Sequence, residues 1–64
     1  MTEKEEKRFR HILARFESVK HSAVEVLCAE VPHNGKRRVF AKVNGFQYGY
    51  LFQDEHVIDS WRCV

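Results

Sequence analysis

A chain of 64 residues allows one domain, and at this size folding buries only about 60% of the surface that the unfolded chain exposes. Eleven Lys and Arg against nine Asp and Glu leave a formal charge of +2, which is no strong basic signal. The opening Met-Thr-Glu-Lys-Glu-Glu-Lys lacks the apolar run of a signal peptide, no segment reaches membrane-spanning length, and two cysteines make no disulfide scaffold. A cytoplasmic protein with free thiols is expected.

The distribution of charge says more than its sum. Lys36, Arg37, Arg38 and Lys42 concentrate positive charge, while Asp54, Glu55 and Asp59 make the tail acidic. Such segregation suits partner surfaces or solvated edges equally well.

Thr2 and Glu5 have the spacing of a capping box, with Glu3, Glu5 and Glu6 placing negative charge at a helix N-terminus. Phe9, Ile12, Leu13, Phe16 and Val19 then recur at helical spacing. The pattern predicts a helix over about 3–20, with Phe16 among the central core contacts. Lys4, Arg8, His11 and Arg15 form a stripe beside the apolar face. Its ordinary reading is solvated charge; the sharper one is a ridge that meets phosphates or an acidic protein.

After the short link His21-Ser22-Ala23, β-branched content predicts a strand over about 24–31. It places Val26 and Cys28 on the core side, opposite Val43 and Ala41, and Leu27, Ala29 and Val31 on the other. Pro32 to Lys36 is a turn with Asn34-Gly35 at its tip.

The clearest signal is Asn44-Gly45 between two apolar runs, the pattern of a type I′ hairpin with strands over about 38–43 and 46–52. In that register Val43 faces Phe46, Ala41 faces Tyr48, Val39 faces Tyr50, and Phe40 sits opposite Gly49. The tail reads as a turn at 53–56 and a fourth strand over about 57–63. Val57, Trp61 and Cys63 would then join the aromatic face, and Asp59 would fall opposite Tyr50. A short helix capped by Asp54 is the rival.

The predicted fold class is α+β: an N-terminal amphipathic helix on a three- or four-stranded antiparallel meander, all one domain over 1–64. The second sheet face, with Leu27, Ala29, Val31, Phe40, Leu51 and Ile58, is too apolar to stand bare. Either the sheet curls into a small barrel or that face meets a second copy or a partner.

No chemistry-bearing set assembles. Cys28-x4-His33 and His56-x6-Cys63 lack the tight pairs of structural zinc sites. Cys28, among valines, has no base to activate it. The chain carries no glycine-rich phosphate loop and no Ser/His/Asp set. Neither catalysis, a cofactor nor a metal is expected.

The basic turn His33-Asn34-Gly35-Lys36-Arg37-Arg38 has a shape that can reach a nucleic-acid groove. Helix, strand, Pro-His turn, basic strand and Val-Asn-Gly turn over about residues 9–50 resemble, in local order, part of a double-stranded-RNA-binding domain. That family ends in a long helix whose basic N-terminus contacts phosphate, whereas this chain ends in an acidic segment. If nucleic-acid phosphates are the target, the basic turn and the helix stripe supply the contacts: Lys36, Arg37, Arg38, Arg8 and Arg15.

The favoured expectation is a small non-catalytic regulator that docks on another protein, in the manner of inhibitors carried by phages and mobile elements. Phe40, Arg37, Arg38 and Leu51 are its expected contacts, with Trp61 in reserve should the tail leave the core. A homodimer or higher oligomer is expected through the second face. Nucleic-acid binding is the alternative.

Overall fold

The computed structural model describes residues 2–63. Helix α1 spans Glu3–Glu17 and a single 3-10 turn spans His21–Ala23. Four strands follow: β1 (Val24–Ala29), β2 (Lys36–Val43), β3 (Phe46–Gln53) and β4 (His56–Arg62). They form one open antiparallel sheet in the order β1-β2-β3-β4, with α1 across one face. The sheet does not close into a barrel.

The helix starts where its cap requires, with the Glu5 amide donating to Thr2 Oγ1 at 3.2 Å. It ends three residues earlier than the apolar spacing suggests. Ser18 turns left-handed at φ 57°, and the amides of Ser18 and Val19 donate to the carbonyls of Arg15 and Ala14. This stop frees Val19 and Lys20 to swing the chain back toward β1.

Strand follows turn in a ten-residue rhythm. Asn34-Gly35, Asn44-Gly45 and Asp54-Glu55 sit at the three tips, and all six residues take positive φ between 50° and 84°. Two central residues with positive φ give the turn twist that matches antiparallel strands. Asp54-Glu55 adopts this conformation without a glycine.

The β2–β3 register agrees with the expected one at every pair, from Val43 opposite Phe46 to Phe40 opposite Gly49. Both flanking strands differ from expectation because each carries a bulge. In β1 the register shifts between Val26 and Cys28, so Val26 faces Ala41 and Cys28 faces Phe40. Cys28 therefore leaves the core side and is exposed, while Ala29 turns inward opposite Val39. Val31 lies beyond the strand end and is 86% exposed rather than part of the second face.

The tail is a strand, not a helix, and ends the likeness to an RNA-binding domain's helical terminus. Its bulge falls at Ile58, between the pairs Phe52–Val57 and Leu51–Asp59. Val57 keeps its inward place. Asp59 lies opposite Leu51 instead of Tyr50, and Trp61 lies opposite Gly49 instead of joining the core. Cys63 follows the same shift, its amide donating to the Gln47 carbonyl.

The core is Phe9, Leu13 and Ala14 from the helix against Val24, Val26, Val39, Ala41, Val43, Tyr50 and Phe52. Ala14 brings the helix backbone close to the sheet, which rotates the buried stripe away from Phe16. That ring is 48% exposed, a correction to its expected central place, and meets Tyr50 edge-on at 6.1 Å. Tyr48 is half-buried beside the core.

Candidate interaction surface

Because side chains alternate along a strand, the face away from α1 can be read in rows across the sheet. The middle row is Cys28, Phe40, Gly49 and Trp61. Phe40 and Trp61 reach over the bare backbone of Gly49 and meet edge-on, ring centres 6.2 Å apart and planes at 78°. A Cβ added at Gly49 would overlap the Trp61 indole. Glycine at this position is what lets the two rings meet.

The second row is Glu30, Arg38, Leu51 and Asp59. Arg38 donates through Nε and Nη2 to the two Glu30 carboxylate oxygens at 2.7 and 2.9 Å. This forked bond raises the Arg38 pKa further above its ordinary value, through hydrogen bonding first and charge second. The third row sets Glu25 opposite Lys42, then Gln47. Charge on this face is thus largely balanced within the chain, around an apolar centre of Phe40, Leu51 and Trp61. Leu27 and Ile58, exposed at the two bulges, extend it sideways.

Of the four expected docking residues, the fold brings Phe40, Arg38 and Leu51 to one face. Arg37 sits on the other side of the same strand. Its guanidinium lies 4.5 Å from the Phe9 ring centre and donates to Glu5 Oε2 at 3.4 Å, so it closes one end of the core. Trp61 takes its place in the set. The signal in the sequence was Gly49, whose missing side chain needs rings from both neighbouring strands to shield it.

The five candidate phosphate contacts do not form one surface. Arg8 is paired with Glu55, Arg37 with Glu5 and Arg38 with Glu30. Lys36 and Arg15 have no ion pair among the described residues, and they lie on the β2 end and on α1 respectively. The two cysteines and His33 are dispersed. Cys28 is on the outer face, Cys63 beyond β4 and His33 beside a turn tip, and no three metal-ligand side chains converge among the described residues. No helix is long and apolar enough to cross a membrane.

Neither protein-family models, curated proteins nor solved structures match this chain.

Proposed function

We propose that this chain is a small, non-catalytic, cytoplasmic interaction protein that docks on another protein through the outer face of its sheet. The observation that carries the reading is the row Phe40–Gly49–Trp61. It packs two aromatic rings on a face that has no helix to cover it. Aromatic and arginine side chains dominate binding energy at protein interfaces. Trp61 and Phe40 are the anchors, Leu51 widens the apolar centre, and Arg38, held rigid by Glu30, supplies the rim.

The same face suits a second copy while no partner is bound. The molecule measures 30 × 26 × 17 Å. Stacking one sheet face on another would therefore cover at most about 800 Å² per partner, the size of a standard interface. Charge balanced within the chain does not repel its own copy. Edge-to-edge association is less favoured, since bulges on β1 and β4 twist the open edges away from pairing.

Nucleic-acid binding is the second reading. Three of its five arginine and lysine contacts already have carboxylate partners, so phosphate would have to displace Glu5, Glu30 and Glu55. Duplex and single-stranded probes at low and physiological salt test it, because phosphate contacts weaken steeply with salt.

The docking test uses a photo-crosslinking residue at Leu51 on the outer face and, separately, at Lys7 on the exposed helix surface. One protein partner, crosslinked from Leu51 but not from Lys7, is the expected result. The crosslink should disappear in the doubly substituted Phe40→Ala/Trp61→Ala chain while circular dichroism remains unchanged. Equal crosslinking from both positions, or full capture by the folded double variant, would reject this face.

A further inference from the structure

The chain carries the dipeptide Asn-Gly twice, at the tips of the first two hairpins. An asparagine followed by glycine can modify itself. The glycine amide nitrogen gives up its proton to water and attacks Cγ of the asparagine, closing a five-membered imide as ammonia leaves. Water then opens the imide at either carbonyl. Opening at Cγ gives aspartate, and opening at the main-chain carbonyl gives isoaspartate, whose chain runs through Cβ and Cγ. One water is taken up and one ammonia released, with no oxidation or reduction.

Both tips are exposed, and a Cβ built on Gly35 or Gly45 meets nothing within 4 Å, so the space beside each glycine is open. Ring closure rotates the asparagine backbone out of the tight turn, and the tip must open before it can react. What lies beneath each tip therefore sets its rate. Asn44-Gly45 closes a ladder that runs unbroken from Lys36–Gln53 to Val43–Phe46. The Asn44 amide also donates to the Ala23 carbonyl at 2.9 Å, and Val43 beside it is buried. Opening this tip disturbs the core.

Asn34-Gly35 stands on far less. The β1–β2 ladder ends at Ala29–Val39, followed by one bond from the Glu30 amide to the Arg38 carbonyl at 2.9 Å. Val31 and Pro32 then run exposed and outside any strand. Beyond them an isolated bridge holds the tip: the His33 amide donates to the Lys36 carbonyl at 2.7 Å, and the Lys36 amide to the His33 carbonyl at 3.0 Å. Releasing these two surface bonds frees residues 31–35 while the core stays packed. Such local openings cost only part of the free energy of global unfolding. We propose that Asn34 is a site of self-modification in the folded protein, by cyclisation on the Gly35 amide, whereas Asn44 is protected until the chain unfolds.

Either product is a carboxylate at neutral pH, which takes the formal charge of the chain from +2 to +1. The new charge falls within the basic turn, beside Lys36. Aspartate accepts the φ of 54° that Asn34 adopts, so that product keeps the tip. Isoaspartate adds a backbone carbon that a two-residue tip does not hold, and the His33–Lys36 bridge breaks. The modification thus removes positive charge from the turn and leaves the Phe40–Trp61 row as it is.

The test incubates the full native chain at neutral pH and, in parallel, the same chain unfolded in urea. Peptide mapping by mass spectrometry follows the mass gain at each asparagine, with fragmentation that separates aspartate from isoaspartate. In urea the two sites should convert at similar rates. In the native chain Asn34 should convert at least about tenfold faster than Asn44, because only its tip opens locally. Asn34→Gln should abolish the early mass gain of the native protein. An unchanged Asn34 in the native chain, equal native rates at the two sites, or a full mass gain in Asn34→Gln would overturn the assignment.

Discussion

Leu13 is sealed beneath α1, whereas Phe16, almost one turn later, keeps about half its surface in solvent. Leu13→Ala should therefore cost about 2–5 kcal/mol, the range for a buried leucine replaced by a cavity. Phe16→Ala should cost about 1 kcal/mol, since the edge-on contact with Tyr50 is its main loss. Urea titration of both variants checks the order. A second residue-scale expectation concerns Tyr50. Its ring is fully buried, and its hydroxyl has no hydrogen-bond partner among the described residues. Burial first, then the Glu17 carboxylate and Tyr48, push the phenol pKa well above its ordinary value. An unfolded tyrosine ionises near pH ~10. Above that pH the unfolded chain has lost a proton that the folded chain keeps, so stability should fall as pH rises. Tyr50→Phe should reduce this alkaline loss. At neutral pH it should be neutral, or stabilising by about 1 kcal/mol, because it removes an unpartnered buried hydroxyl. Denaturation of both proteins at pH ~7 and ~11 separates these effects.

At the scale of elements, the ends decide more than the middles. Thr2 sets where α1 begins, and Ser18 sets where it stops by adopting a conformation that glycine takes without strain. Ser18→Gly should raise stability by about 1 kcal/mol, read as a higher melting temperature with an unchanged helix signal. The three hairpin tips show the same physics. Asn-Gly supplies positive φ readily at two of them, while Asp54-Glu55 reaches it against the preference of an L side chain. Glu55 also pairs with Arg8, so that turn is tied to the helix by charge as well as by chain connectivity.

For the whole molecule, the imbalance between one helix and two sheet faces dominates. α1 covers the inner face and leaves Phe40, Leu51 and Trp61 on the outer one. A second copy stacked on that face should give light scattering of at least twice the chain mass at micromolar concentration. Phe40→Lys should return the mass to that of one chain without loss of sheet signal. A wild-type monomer that keeps its full stability on dilution would reject self-association through this face.

Local chemistry determined much of this fold. The capping box, the apolar stripe and the Asn44-Gly45 turn placed α1 and the β2–β3 hairpin, because turn dihedrals and side-chain alternation act between near neighbours. They also put Phe40 and Leu51 on the uncovered face. Tertiary structure decided the rest. One extra residue in a strand reverses the face of every residue beyond it, and neither bulge has a local sequence signature here. Leu27 and Ile58 look like ordinary strand residues, yet the bulges at these positions carried Cys28 and Trp61 from the expected core to the outer face. Helical spacing likewise fixed the stripe but not its rotation, which followed from the close approach at Ala14. The two Asn-Gly tips also read alike in the sequence, and only the pairing beneath each one separates them. Asn44 closes the unbroken β2–β3 ladder, whereas Asn34 ends a limb that leaves the sheet after Glu30.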